Sequence, residues 1–414
     1  MKNLSFLTFL CLVYLVSCAQ IPIDPNNMLP NLRTLEQDEI RLVNSSSEFA
    51  LELFQEIEKS EEGNYFFSPY SIHQALSMAM NGNEGDVLEE FLRVLHFEGL
   101  DLSKANGANK GLTEFLKNID PKVAINIANA IWYRQGLNVQ PPFKASMENY
   151  YGANVEALDF NQPNSHQVIN NWIDRETRGL IKNMLDGIPD EAIMYLVNAI
   201  YFKGDWKSPF DATKTKKQNF YPEKFPATQV DMMSTGGKIK VNYFQSGQLQ
   251  YLELPYSTGQ YNMGIVYHSG GNLSSLMSEI TFENIQSWQQ QSQENEMIVE
   301  MPKFKMEHKL ENLKSHLKDL GLKQAFEPSP KNFTKLFEDP LMDMYISRVI
   351  HQAMIEVDEK GTEAAAATVV EVGVTSMPVI PTFIRLDKPF LFFIQEKHSG
   401  IILFMGKMEN PNLI

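Results

Sequence analysis

The stretch Asp358–Phe383, DEKGTEAAAATVVEVGVTSMPVIPTF, lies near the end of a 414-residue chain and fits neither regular structure at first sight. The four alanines Ala364, Ala365, Ala366 and Ala367 favour helix, yet valines, Gly373 and two prolines follow at once. Taken with a period of two from Thr362, one face is Thr362, Ala364, Ala366, Thr368, Val370, Val372 and Val374, all small or apolar. The other face carries Glu363 and Glu371. That is the pattern of a strand half-buried on a core. A short helix from Thr362 to Val370 would suit the alanines as well, and the pattern alone leaves the two even.

Outward from this stretch, helix and strand signals alternate. Helical spacing of apolar residues marks Ser45 to Lys59, Ser71 to Met80, Val87 to Leu95, Gln167 to Leu185 with Trp172 inward, and Leu310 to Leu320 ended by Gly321. The second and third are broken by Asn81-Gly82-Asn83-Glu84-Gly85. Strands are expected at Val123 to Trp132 and at Ile193 to Phe202, the latter an apolar run that suggests burial on both faces. Further strands follow at Leu252 to Tyr256, Asn262 to Tyr267, Met297 to Met306, Ile384 to Ile394 and Ile401 to Gly406. Helices mixed with non-local strands, with no Pro/Gly/Ser-rich linker and no repeat, indicate one α+β unit.

The formal net charge is −15 and no run of five basic residues occurs, which argues against nucleic acid as a partner. Lys2 followed by the apolar stretch Leu4 to Val16 is a targeting segment, too short to span a bilayer comfortably. Its end, Leu15-Val16-Ser17-Cys18, resembles a bacterial lipobox, in which Cys18 is diacylated and becomes the first residue. Cleavage after Ala19 is the competing expectation. The expected organisation is therefore a signal peptide (1–17), a tether (18–37) and one domain (38–414). Cys11 and Cys18 are the only cysteines, so an exported form has no disulfide and any membrane association runs through the lipid alone.

No G-x-S-x-G, H-E-x-x-H, P-loop or G-x-G-x-x-G occurs, and nothing calls for a metal or cofactor. His308 and His316 are expected on a charged helix facing solvent. Asp358-Glu359 is expected in an acidic turn between two strands, and Met78, Met80, Met232 and Met233 in the core. Asn-x-Ser/Thr sequons stand at Asn44, Asn272 and Asn332.

Several words of the sequence resemble the hallmarks of the serpins, in family order. Asn64 to Ile72 (NYFFSPYSI) and Asn198 to Trp206 (NAIYFKGDW) with Pro209-Phe210 are two of them. Asn129 to Trp132, Ile169 to Ile173 with Thr177 and Gly179, Glu253 to Tyr256 and Met301 to Phe304 are others. Ser347 to His351, Glu359 to Ala364, Lys388 to Phe390 and Leu403 to Lys407 complete the set. The resemblance runs from about Asp38 to Pro411; Asn83 and Val87 depart from it, where the family favours Ala and Thr.

The resemblance implies a serpin fold of three β-sheets and about nine helices, with an exposed reactive-centre loop at about 359–383. It implies a monomeric inhibitor, not an enzyme, that acts as a suicide substrate of a serine protease. The hinge would be Gly361, Thr362, Glu363, Ala364, Ala365, Ala366, Ala367 and Thr368, whose inward residues are small enough to enter a sheet. Family loop length places the cleaved bond at Thr375–Ser376, with Val374–Thr375 and Ser376–Met377 as neighbours. A small uncharged residue there implies an elastase-like or subtilisin-like target. Ser68, Ser71, Asn198 and His351 match the family's polar cluster under the sheet, and Trp206, Lys303 and Glu359 its upper opening. A non-inhibitory serpin that binds or stores is the alternative, and the uncharged hinge speaks against it.

Overall fold

A computed structural model describes residues 29–339, 343–362 and 382–413. Cys18, the hinge from Glu363 to Thr368 and the bond Thr375–Ser376 lie outside the described residues.

The described helices are α1 (Gln37–Glu58), α2 (Pro69–Met80), α3 (Gly85–Val94), α4 (Leu102–Asn118), α5 (Pro141–Tyr151), α6 (Ser165–Glu176), α7 (Leu273–Glu279), α8 (Phe282–Gln291) and α9 (Leu313–Asp319). The strands are β1 (Tyr65–Phe67), β2 (Ala124–Arg134), β3 (Asn154–Leu158), β4 (Met194–Asp205), β5 (Lys216–Phe220), β6 (Thr228–Ser234), β7 (Ile239–Ser246) and β8 (Leu249–Pro255). They continue as β9 (Tyr261–His268), β10 (Gln293–Pro302), β11 (Phe304–Leu310), β12 (His351–Val357), β13 (Gly361–Thr362), β14 (Thr382–Arg385), β15 (Phe390–Glu396) and β16 (Ile402–Met408).

Hydrogen bonding joins the strands into a six-stranded sheet, β11-β12-β13-β4-β2-β3, and a ten-stranded one. The larger sheet bends at β10, whose first half pairs with β7 from Gln293 to Met297 and whose end pairs with β6 from Glu300 to Pro302. Its two arms and the six-stranded sheet are the three sheets expected from the sequence.

The core lies between the two sheets and under α1 and α2. Phe54, Phe66, Phe67, Phe392 and Phe404 are fully buried or nearly so, and Phe66 stacks on both Phe392 and Phe404. Met78, Met80, Met232 and Met233 are core residues as expected. The helix α2 starts where sequence chemistry dictates: Pro69 opens it, and Ser68 caps it by accepting the amide of Ser71. Asn83 is fully buried, donating to Ala79 O and accepting the amide of Phe333, so its departure from the family pattern is absorbed by two hydrogen bonds.

Several expectations change. His308 is on β11, not a helix, and is partly buried; His316 is on α9 but buried beside Ser60. Burial lowers the pKa of both imidazoles. Charged residues continue from Lys305, Glu307 and Lys309 on β11 to Glu311 and, within α9, Lys314, and the short apolar alternation of Phe304 and Met306 is lost among them. The helix expected to run to Leu185 ends at Glu176, because the chain turns at Arg178 and Gly179, both with positive φ. Met297 to Met306 divides into β10 and β11 at Lys303, and Ile384 to Ile394 into β14 and β15 across Leu386-Asp387-Lys388-Pro389. The run Ile193 to Phe202 is a strand, but its first half is only partly covered. Asn332 is buried, which removes the third sequon from the surface. The described end of the tether is not free: Asn31 N donates to Ile119 O, and Arg33 pairs with Glu39. The body therefore begins its contacts at Asn31 rather than at Asp38.

Candidate functional site

The centre of the six-stranded sheet carries its least usual feature. Strands β2 and β4 share ten paired residues, and β11 and β12 share seven. Among the described residues β4 and β12 share none: they are joined only through the two residues of β13. Thr362 pairs with Val357 on one side and Gly204 on the other, so the flanking strands stand about 9.6 Å apart there, two strand spacings.

The upper end of this opening is closed by a compact set of contacts. Asp358 forms the expected turn, its carboxylate accepting the amides of Lys360 and Gly361. Trp206 donates its indole N–H to Asp358 O at 3.0 Å and its amide to Lys360 O at 2.7 Å. The indole stacks on Tyr256 with centroids 4.4 Å apart, and the Tyr256 hydroxyl lies 2.7 Å from the Thr362 hydroxyl. Thr362 is 3 % exposed. A Cβ at Gly361 would fall on the Gly204 carbonyl and the Asp205 backbone, so only glycine lets the chain enter between these strands. Glu359 bonds to Lys303 at 3.0 Å and to Thr215 at 2.8 Å. Burial alone would raise the Glu359 pKa, but the Thr215 and Lys303 hydrogen bonds outweigh it and hold the carboxyl below its usual range. The Lys303 side chain is half-exposed, so the pair is worth at most about 1 kcal/mol.

Lower down, the expected polar cluster is assembled at the N-terminus of α2. Ser68 Oγ donates to Leu403 O on β16, and the Ser68 amide donates to His351 Nε2 at 2.9 Å on β12. Ser71 Oγ donates to Asn198 Oδ1 on β4, and Asn198 in turn donates to Asn129 at 2.7 Å and Gln74 at 3.0 Å. The two strands beside the opening are thus each tied to one helix end rather than to each other. Gln74 and Asn129 are members that sequence reasoning missed; Asn129 stood in a quoted motif, but nothing local to it signals a bond across to β4.

A cavity of about 400 Å³ continues this opening downward, lined by Ile72 and Ala79 of α2, Ile173 of α6, Leu196 of β4 and Val349 and His351 on the other side. Its walls are mostly apolar, so it suits small or branched apolar side chains.

Burial, with a smaller push from His308, lowers the His351 pKa to about 3, and burial lowers that of His73 to about 4. Both imidazoles are neutral in the fold, and since His351 Nε2 accepts the hydrogen bond of the Ser68 amide, its own N–H is on Nδ1. Because the folded pKa values lie below the ordinary 6.5, the unfolded chain binds more protons as the solution is acidified. The stability contributed by these two groups is complete above about pH 6.5 and falls below it, with a slope of up to about 1.4 kcal/mol per pH unit for each group. Urea midpoints measured between pH 7 and 5 should fall accordingly, and His351→Gln should make the fall shallower. A midpoint equally pH-dependent in that variant would refute the assignment.

The six-stranded sheet is thus interrupted at its centre, with the first two residues of the following segment seated in the interruption. A family model described as Serpin (serine protease inhibitor) matches residues 44–411, and the chain belongs to the serpin family. It is 32 % identical to the leukocyte elastase inhibitor of Xenopus tropicalis over 381 residues, covering 89 % of this chain and 99 % of that one. The crystal structure of Serpin48, a highly specific serpin of the insect Tenebrio molitor, matches with a TM-score of 0.79 at 31 % identity, covering 92 % of this chain and all of the other. Human thyroxine-binding globulin, solved with its ligand, matches with a TM-score of 0.80 at 25 % identity, covering 90 % of this chain and 99 % of that one.

Proposed function

We propose that this protein inhibits a serine protease by offering Thr375–Ser376 for cleavage and inserting the freed loop between β4 and β12. The observation that carries this is the opening itself, started by Gly361 and Thr362 and otherwise unbridged among the described residues. Continuing the register of Thr362 assigns each hinge residue a place in the inserted strand. Ala364 would stand between Phe202 and Ile355, Ala366 between Ile200 and Ala353, and Thr368 between Asn198 and His351. Of these neighbours Phe202, Ile355, Ile200, Ala353 and His351 are buried and Asn198 is partly buried, and the hinge offers each of them a small uncharged side chain.

The chemistry follows from geometry. The protease forms an acyl-enzyme with the loop. Insertion of about fourteen residues, at roughly 3.3 Å each, carries the protease about 45 Å along the sheet. Even an ångström of displacement in its active site would halt deacylation. The small uncharged residues around the bond favour an elastase-like or subtilisin-like target. A panel of serine proteases tests this: elastase-like enzymes should form complexes that survive boiling in SDS, with a released fragment beginning at Ser376, or one residue to either side. Cleavage without any stable complex across the panel would instead support a binding or storage role.

We also propose that Cys18 is diacylated and tethers the inhibitor to a bacterial envelope, two acyl chains being enough for stable anchoring. Cys18→Ser should move the protein from the membrane fraction to the soluble one, and a soluble wild type beginning at Gln20 would overturn the anchor.

A further inference from the structure

The segment from Asn31 to Leu35 is mostly exposed, yet it makes an unusually complete set of polar contacts. The Arg33 guanidinium donates to both oxygens of Glu39, at 2.6 and 2.7 Å, and to Gly111 O at 2.9 Å within α4. It also lies 5.0 Å over the ring of Phe115, whose other neighbour is His398 in the turn between β15 and β16. His398 Nε2 donates to Arg33 O at 2.8 Å, and Asn31 N donates to Ile119 O at 2.7 Å, just past the last turn of α4.

A second observation says that this contact is built in. Gly111 lies in the interior of α4, where glycine is a much poorer helix former than alanine. A Cβ there would fall on Glu39 Oε1. Of the two glycines in α4, Gly107 has open space about it and Gly111 stands where the Arg33–Glu39 pair needs room; the Glu39 side chain is only 5 % exposed.

The position of α4 gives these contacts a consequence. Only residues 119–123 separate it from β2, whose continuous ten-residue ladder with β4 joins the two strands into one unit. The other ends of the contacts, α1 and the β15–β16 turn, belong to the body of the protein. We propose that Asn31–Leu35 is a latch: it holds the root of the β2–β4 half of the sheet to the body and restrains that half from parting further from β12. Strain or processing of the upstream chain would act on the sheet through this segment.

Two measurements on the full chain test the latch. In Arg33→Ala and in Gly111→Ala, amide exchange across residues 106–125 should accelerate about tenfold or more, as expected when a hydrogen-bonded charge pair with a buried partner is lost. The spontaneous, protease-free conversion to a urea-resistant form with a completed sheet should accelerate in the same variants. The first measurement does not depend on the inhibitory function proposed above; only the second rests on insertion. Unchanged exchange in both variants overturns the latch, and so does faster exchange with an unchanged conversion rate. Faster exchange and faster conversion together support it.

Discussion

Ala366→Arg is expected to turn the inhibitor into a substrate. In the inserted strand position 366 stands between Ile200 and Ala353, 8 % and 2 % exposed, on the face turned to the core. An arginine there has no partner, and a buried unpaired charge costs several kcal/mol. If about 3 kcal/mol of that is felt while the strand enters, insertion slows about a hundredfold, and deacylation wins the race. The measurement is the number of inhibitor molecules consumed per protease inactivated, which should rise well above one as cleaved product accumulates. Glu363→Arg is the control, since position 363 would stand between Lys203 and Glu356 on the opposite face, both of them charged and only partly buried. Equal stoichiometry in the two variants would sink the period-two assignment and with it the insertion mechanism. Thr362→Arg is the less informative choice. Thr362 is already buried against Tyr256, so an arginine would disturb the intact protein before any protease arrives.

Thr375→Arg should redirect inhibition. With threonine at the proposed bond, the target protease would need a small uncharged primary pocket. Arginine overfills that pocket and suits one with a carboxylate at its base, where a paired guanidinium is bound strongly. Inhibition of elastase-like enzymes should drop about a hundredfold or more while a trypsin-like enzyme becomes the better target. Ser68, Asn198 and His351 are untouched by the change, so the insertion step should proceed as before and the new complexes should survive SDS. The fragment released by the trypsin-like enzyme should begin at Ser376. If the trypsin-like enzyme cleaves after the introduced arginine without being trapped, the position of the bond relative to the hinge is wrong even though the pocket argument holds.

Much of the fold was written in local signals. Ser68 and Pro69 start α2 wherever they occur, because a side-chain oxygen and a ring without an N–H suit a helix start. Met78, Met80, Met232 and Met233 are apolar enough to be assigned to the core without coordinates. The motif words pointed to the family, and through it to the polar cluster and to Trp206, Lys303 and Glu359 at the upper opening, because each word is a run of adjacent residues. Local signals failed where a neighbour in space decided the outcome. Charges run on from Lys305, Glu307 and Lys309 to Glu311 and Lys314, so composition does not mark where β11 ends and α9 begins; pairing with β12 carries the strand to Leu310 and buries part of His308. Gln74 and Asn129 carry no local mark of their bonds to Asn198, since the three lie on α2, β2 and β4. Gly111 resembles a flaw in a helix until Glu39, far away in the chain, fills the space its missing Cβ leaves. Composition and period gave the segment one small uncharged face as a strand, and left a short helix equally open. Only the tertiary structure decided where that strand would have room, because the separation of β4 from β12 is a property of two ladders and a helix end that no single segment encodes.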